Sequence, residues 1–362
     1  MIYRLAIFLA LFSCIYVPAI AQSNPVISAD NIERLQSVST IDFETLPNNI
    51  QPASGQFVIN HDATVVITFG NAEAEPPFSR AIRWHEDEII VNHIDDSSLV
   101  RYLTDDGECL YVGYVGYLMV YAFHPDQAPA DVWLGPLELP SAQDSAVNFW
   151  MDDNTTCSAD FYVEVASQNG TLNTLQVVNG DPDILHEDIF ILPDETVAAR
   201  VGRVPPPLAL TLDFDGNLYR WDMTTNEITA SINVDDVAMF GKLNNSGTHY
   251  VWLPNARDGL YLANFLDETF EQVVSFDELY ISHLILSDNA DVVIGVDPYD
   301  QRGTVVAWDI DSEERINLGE YRHCQRVQPD LARLSSDGTA LVIGCDTGID
   351  IWRVLADNGS GK

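Results

Sequence analysis

Apolar and polar residues alternate along most of this chain in short runs, and clusters of Asp, Asn, Gly and Pro separate the runs. Alternation over several residues is the pattern of a β-strand with one buried face, and these turn-forming clusters mark the connections between strands. No segment repeats its apolar residues at helical spacing. The pattern therefore predicts an all-β protein over residues 34–357.

The strand and turn pattern recurs seven times. An Asp or Asn turn precedes a run of β-forming residues at Asp62, Asp105, Asp152, Asp194, Asn244, Asp288 and Asp337. A later strand of each unit ends near Trp84, Tyr121, Leu175, Trp221, Ala263, Trp308 and Trp352. Successive members of either series lie roughly 45 residues apart, which is typical of propeller blades that contain four strands.

Each unit contains four β segments, and the sixth illustrates them with ISHLILS, DVVIGV, TVVAWDI and RINLG. The seventh unit has no fourth segment, whereas an alternating segment at residues 34–44, RLQSVSTIDFE, precedes the first unit. We therefore predict a seven-bladed β-propeller of four-stranded antiparallel blades, in which the N-terminal strand completes the last blade.

The clearest unit is SSDGTALVIGCDTGIDIWRVL at residues 335–355, with an Asp turn, an apolar strand, an Asp-x-Gly turn and a strand that ends at Trp. With the pairs Trp221-Asp222 and Trp308-Asp309, it resembles the WD-repeat β-propeller family, in the form found in exported bacterial proteins. The match is degenerate, because no Gly-His dipeptide occurs and units two, three and five lack the Trp.

The resemblance implies structural roles for its marker residues. One tryptophan in each of four units is expected to pack one blade against the next, namely Trp84, Trp221, Trp308 and Trp352. Asp222 and Asp309 are expected to accept hydrogen bonds from turn N–H groups.

The first residues have the features of a secretory signal peptide: Arg4, an apolar run, and Ala19-Ile20-Ala21 as a cleavage site. We therefore predict a signal peptide at residues 1–21, a lead-in at 22–33 and a short tail at 358–362. An alternative is a lipoprotein signal with Cys14 as the anchor. The mature protein is expected to be secreted or periplasmic, monomeric, and not inserted in a membrane.

The chain has 17 Lys and Arg against 55 Asp and Glu, a formal net charge of −38. Such a charge repels phosphate backbones and argues against nucleic acid as a partner. The excess of acids has two interpretations, namely solubility outside the cell and cation binding.

Cysteines in an exported protein indicate disulfides. Cys324 and Cys345 form the favoured pair, because antiparallel pairing in the last unit brings them to one end of its sheet. Cys109 and Cys157 form the weaker candidate. They start equivalent strands of adjacent blades, which can lie farther apart than the Cα separation that a disulfide needs.

Acidic side chains offer weak candidates for a metal site. Asp297 and Asp300 lie in the longer loop DPYDQRG and could bind calcium. DFDGN starts like a calcium loop at Asp213, but Thr224 occupies the place of the closing Glu, so a β-hairpin turn is favoured.

No nucleophile elbow and no His-x-x-x-His spacing occurs in the sequence. The sequence therefore favours a non-enzymatic interaction platform without a cofactor. It would bind an unidentified protein through loops that include residues 71–80 and 202–209. The alternative is a sensor or hydrolase that binds a small ligand or calcium through acids around the central channel.

Overall fold

The computed structural model describes residues 24–43, 50–72, 79–85, 88–94, 100–123, 131–139, 142, 145–150, 156–166, 171–178, 181–191, 196–202, 208–213, 216–222, 225, 227–234, 240–254, 258–275, 281, 283–296, 304–320, 332–345 and 347–355. The predicted signal peptide, the Cys14 alternative and the predicted C-terminal tail lie outside these residues. None of the described helices is long and apolar enough to cross a membrane.

The described chain is all-β apart from one 3-10 turn at Ile32–Arg34. A first strand is followed by six groups of four and a group of three. They are β1 (Leu35–Asp42); β2 (Ile50–Ile59), β3 (Val65–Ala72), β4 (Ser79–His85), β5 (Glu88–Ile94); β6 (Val100–Leu103), β7 (Cys109–Gly113), β8 (Tyr117–Ala122), β9 (Asp131–Glu138); β10 (Ser145–Trp150), β11 (Phe161–Ala166), β12 (Thr171–Val178), β13 (Asp181–Ile191); β14 (Thr196–Gly202), β15 (Leu208–Asp213), β16 (Asn217–Asp222), β17 (Glu227–Asn233); β18 (Phe240–Leu243), β19 (His249–Leu253), β20 (Gly259–Asn264), β21 (Thr269–Ser275); β22 (His283–Leu286), β23 (Val292–Val296), β24 (Thr304–Asp309), β25 (Arg315–Glu320); and β26 (Ala332–Leu334), β27 (Ala340–Cys345), β28 (Gly348–Val354).

These strands form seven four-stranded antiparallel sheets, called sheets 1 to 7. Sheets 1 to 6 are the six consecutive groups of four, each paired in chain order. Sheet 7 has the order β1-β28-β27-β26, with β1 paired to β28 from Leu35↔Val354 to Asp42↔Gly348. The prediction that the N-terminal strand completes the last sheet is therefore confirmed.

The predicted series of strand-ending residues falls on the third strand of every sheet. Its members lie on β4, β8, β12, β16, β20, β24 and β28. Six of them are buried and Trp221 is half-buried. The repeat in the sequence thus counts sheets correctly.

Buried apolar side chains join each described sheet pair rather than filling one common core. Six clusters combine sheets 1 and 2, 2 and 3, 4 and 5, 5 and 6, 6 and 7, and finally 7 and 1. In the last of these, Phe57, Val66 and Trp84 pack with Val342 and Ile349. The first and last sheets of the chain are therefore neighbours.

The predicted lead-in is part of the fold. Ile27 and Ile32 are buried in the cluster between sheets 6 and 7. The Ile27 N–H donates to the Gly338 carbonyl (2.9 Å) and the Ala29 N–H donates to the Asp291 carboxylate (3.0 Å). This segment therefore fastens sheet 6 to sheet 7 before the chain enters β1.

Two of the marker tryptophans differ in their hydrogen bonding. The Trp84 indole N–H donates to the Thr68 hydroxyl (3.2 Å), whereas the buried Trp352 indole N–H has no hydrogen-bond partner among the described residues. Trp84 pairs with Val66 and Trp352 pairs with Leu341, so Ile343 occupies in sheet 7 the position that Thr68 has in sheet 1. An apolar side chain at this position leaves the indole N–H without an acceptor.

We expect Trp84→Phe to lower the free energy of unfolding more than Trp352→Phe, by about 1 kcal/mol. Both variants lose the same ring area, but only Trp84→Phe removes a hydrogen bond and leaves a buried hydroxyl unsatisfied. Denaturant unfolding of both variants measures the difference. An equal loss in the two variants would contradict the explanation.

Candidate functional site: the turn end

Five turns that join the first and second strands share one geometry; we call them the first turns. Each begins with a buried polar residue: Asn60, Thr104, Asn244, Ser287 or Ser335. Its side-chain oxygen accepts the N–H of the residue five positions on: Val65 (2.8 Å), Cys109 (3.0 Å), His249 (3.0 Å), Val292 (3.0 Å) or Ala340 (2.9 Å). The fourth residue has a left-handed backbone, with φ from 55° to 71°, at Ala63, Gly107, Gly247, Ala290 and Gly338.

The predicted series of turn acids turns out to mix several positions of this geometry. Asp62 and Asp337 are third residues and accept hydrogen bonds from Asn60 (3.0 Å) and Ser335 (2.6 Å). In sheet 2 that role belongs to Asp106 and not to Asp105. Sequence reasoning missed Asp106 because two adjacent Asp residues look alike, and only the turn geometry selects one.

The first turns of neighbouring sheets bind one another. The Asn60 amide donates to the Asp105 carbonyl (2.9 Å), and the Asn244 amide donates to the Asp288 carbonyl (2.9 Å). The Asp337 N–H donates to the His61 carbonyl (3.2 Å), which joins the last sheet to the first. These contacts bring the first turns to one end of the molecule.

Asn245 contacts two other sheets. Its backbone N–H donates to the Asp288 carboxylate of sheet 6 (3.1 Å), and its amide donates to the Ser335 carbonyl of sheet 7 (3.0 Å). A residue of sheet 5 therefore reaches past sheet 6, so these three first turns converge.

The turns that join the third and fourth strands lie at the same end. Just after the third strand, a backbone N–H donates to a carbonyl of the first turn of its own sheet. The pairs are Phe123 to Glu108 (2.6 Å), Phe265 to Thr248 (3.0 Å) and Ile310 to Asp291 (2.9 Å). We call this end of the molecule, with both kinds of turn, the turn end.

Two arginines link sheets through backbone carbonyls. The Arg353 guanidinium, on sheet 7, donates to the Asp62 carbonyl of sheet 1 (2.6 Å). The Arg220 guanidinium, on sheet 4, donates to the Gly247 carbonyl of sheet 5 (2.9 Å). Bases are scarce in this chain, and these two serve contacts between sheets.

The pKa values of two turn-end carboxyl groups are shifted in opposite directions. Burial raises the pKa of Asp288, and the nearby Asp337 carboxylate raises it further against the hydrogen bonds from Asn245. Burial alone would also raise the pKa of Asp62, but hydrogen bonds from Thr64 and Asn60, with the charge of Arg353, lower it overall. Ionised Asp288 therefore opposes folding, whereas ionised Asp62 supports it.

The weaker disulfide candidate is confirmed. Cys109 and Cys157 are bonded with a Cα separation of 5.4 Å. Cys157 precedes β11 instead of starting it, so its segment can reach β7 across the gap between sheets 2 and 3. The expectation that adjacent blades lie too far apart was wrong for this reason. A disulfide is compatible with a location outside the cytoplasm.

A tyrosine strengthens the same junction. The Tyr111 hydroxyl donates to the Ser158 carbonyl (2.7 Å) and accepts the Ser158 N–H (2.8 Å). Burial raises the pKa of Tyr111 to about 12, so this hydroxyl stays protonated at physiological pH. Sequence reasoning did not identify Tyr111, since nothing in the strand CLYVG marks its distant partner.

The other predicted residues are distributed as follows. Asp222 accepts the Thr225 N–H (3.4 Å) and Asp309 accepts the Ser312 N–H (3.0 Å), as turn-forming carboxylates do. β15 and β16 pair around the DFDGN turn, as the hairpin prediction requires.

The remaining candidates cannot be placed. Asp297, Asp300, Cys324 and most of the two proposed contact loops lie outside the described residues, and of Cys345 only the backbone, in β27, is described. Within the described part of the chain, no group of three His, Cys, Asp or Glu side chains could hold a metal ion.

No protein-family model matches this chain, and no curated protein matches it either.

We expect Asp288→Asn to raise the free energy of unfolding at pH 7. The native pKa of Asp288 is raised, so its contribution to stability is present at low pH and is lost as the pH rises through that pKa. The Asn oxygen can still accept the Asn245 N–H. The gain should vanish below about pH 4, where the carboxyl is protonated in both states.

The matched control is Asp62→Asn, for which the sign is opposite. The pKa of Asp62 is lowered, so its contribution is present at neutral pH and is lost as the pH falls through the native pKa. Thermal melting of both variants from pH 3 to pH 8 tests the pair of predictions. A destabilised Asp288→Asn protein at pH 7 would refute the account of this carboxyl.

The disulfide and Tyr111 hold the same segment, so their contributions should couple. We expect Cys109→Ala/Cys157→Ala to cost about 2–4 kcal/mol of unfolding free energy and Tyr111→Phe about 1–2 kcal/mol. The triple variant should lose less than the sum, because a released segment no longer holds the Tyr111 hydrogen bonds. Denaturant unfolding in a double-mutant cycle measures the coupling; strict additivity would contradict it.

Proposed function

We propose that this chain is an exported seven-bladed β-propeller of WD-repeat type and serves as a non-enzymatic platform for a protein partner. The observation that carries the proposal is the apolar cluster between sheets 7 and 1, together with β1 as the fourth strand of sheet 7. A chain whose last sheet packs on its first sheet has the order expected of a closed ring.

All the described strands belong to the sheets of this scaffold. The first strands of neighbouring sheets adjoin, as with β2 and β6, β6 and β10, β18 and β22, and β22 and β26. That arrangement is expected when first strands line a central axis. Loops and turns then supply the binding surface, as is common on rigid scaffolds.

The turn-end acids favour the platform over the calcium or small-ligand alternative. The carboxylates of Asp62, Asp288 and Asp337 accept hydrogen bonds from their own turns or from a neighbouring turn. These three carboxylates therefore already accept hydrogen bonds that hold the turn end together.

Cross-linking capture from the native compartment tests the proposal, with the tagged mature chain as bait. We expect a protein partner to be recovered in a defined ratio and lost when the bait is unfolded. Melting curves with EDTA and with added calcium form the second arm, because a ligand of the native state raises its stability.

Failure to capture a partner, combined with a calcium-dependent rise in melting temperature, would overturn the platform in favour of the sensor. Capture together with calcium-independent melting supports the platform.

A further inference from the structure

Large apolar side chains are exposed on neighbouring sheets at the turn end. On sheet 5, Leu266 is 67% exposed and Phe270 is 38% exposed. On sheet 4, Ile228 is 48% exposed, at the start of the outermost strand β17. We call these three residues the apolar patch.

The exposure of Leu266 is fixed by its hairpin. The Asn264 side chain accepts the Leu266 N–H (2.9 Å), and its amide donates to the Asp267 carboxylate (3.0 Å). Phe265 points the opposite way, is 3% exposed, and bonds to the Thr248 carbonyl. Leu266 is therefore held outward by a turn whose other apolar residue anchors it.

Within the patch, Phe270 rests on an aromatic floor formed by Trp252 and Tyr261. The Phe270 ring centroid lies 6.1 Å from that of Trp252, which lies 5.6 Å from that of Tyr261. Trp252 is 1% exposed and packs in the cluster between sheets 4 and 5. Tilted aromatic contacts of this kind give Phe270 a rigid base, with little side-chain entropy to lose on docking.

Sheets 4 and 5 meet beside this floor. Ala230 and Ile232 of β17 belong to the same cluster as Trp252. Ile228 precedes them on that strand, towards the turn end. Ile228 therefore lies on a strand that packs against sheet 5.

The exposed charges beside the patch are mainly acidic. Arg220 also lies beside it, where its guanidinium donates to the Thr229 hydroxyl (3.1 Å) and to the Gly247 carbonyl (2.9 Å). The exposed acids Glu227, Asp267, Glu268 and Glu271 border the patch, and neither residues 227–234 nor residues 258–275 contain Lys or Arg. An apolar centre with a charged rim is the usual anatomy of a protein interface, and complementary charge on the partner favours association.

We propose that the apolar patch is the docking surface for a partner protein that presents apolar side chains flanked by Lys or Arg. The inference rests on the platform function and adds to it the surface used and the chemistry of the partner.

The test uses the full mature chain and a labelled 12-residue peptide of alternating Leu and Lys as the probe. Fluorescence anisotropy compares Leu266→Asp with Val115→Asp. Val115 is a matched control, because it is 49% exposed in the turn between β7 and β8, which topology places at the opposite end. Leu266→Ser removes the apolar side chain without adding charge.

We expect Leu266→Ser to weaken binding of the Leu/Lys peptide by about tenfold and Val115→Asp to change it by no more than about twofold. Leu266→Asp should weaken binding somewhat less than Leu266→Ser, because its added carboxylate attracts the Lys side chains. Glu271→Gln should weaken binding a few-fold, and added salt should weaken it further. A Ser/Lys peptide of equal charge should bind much less tightly.

Three results would overturn the inference. Equal losses in Leu266→Asp and Val115→Asp, or equal binding of the Ser/Lys peptide, would indicate only diffuse attraction to an acidic protein. Concentration-dependent sedimentation that Leu266→Asp abolishes would instead make the patch a contact between two copies of this chain.

The capture experiment separates this inference from the platform itself. A captured partner that binds the Leu266→Asp protein unchanged would leave the platform standing and remove the patch. Peptide binding that depends on Leu266, with no partner captured, would remove the platform and leave a peptide-binding surface.

Discussion

The packing of one sheet against the next is the interaction on which the rest of this structure depends. A four-stranded sheet with apolar residues on both faces cannot bury them alone. The second strands show this directly: every residue of β7 and of β23 is buried, so each of these strands faces apolar neighbours on both sides. The outer strand β17, by contrast, alternates between exposed and buried residues. In these examples burial is complete in the second strand and partial in the outermost strand.

Sheet packing buries backbone N–H groups at the turns, and the first turns supply hydrogen-bond acceptors for them. A chain that reverses direction inside a packed core leaves N–H groups that strand pairing cannot satisfy, and each such group costs free energy if it stays unpaired. Asn60, Thr104 and Ser335 are chemically different, but each offers one side-chain oxygen to the N–H five residues on. Any residue with a short side chain that carries a suitable oxygen serves, so the geometry recurs without a fixed sequence.

That tolerance explains which features the sequence could predict. The number of sheets, the number of strands and the completion of sheet 7 by β1 follow from alternation and spacing. Burial of one or both faces of a strand determines which of its positions are apolar, so the pattern is visible in the sequence. The Cys109–Cys157 bond does not follow from the pattern, since it depends on the path of the segment before β11 relative to sheet 2. The unpaired indole of Trp352 also escapes prediction, because its cause is Ile343 on the paired strand. Neither feature has a local sequence signature.

The same distinction bears on the proposed binding surface. Exposed Leu266 follows buried Phe265, and in sequence the two apolar neighbours look interchangeable. What separates them is the Asn264 side chain, which fixes the hairpin so that one residue anchors it and the other faces solvent. Exposing a large apolar residue on a rigid turn forgoes the stability that its burial would give, roughly 1.5–3 kcal/mol for Leu. The hairpin already has its anchor in Phe265. Leu266 therefore contributes little to the fold that holds it, which is the property expected of a side chain whose apolar contacts come from another molecule.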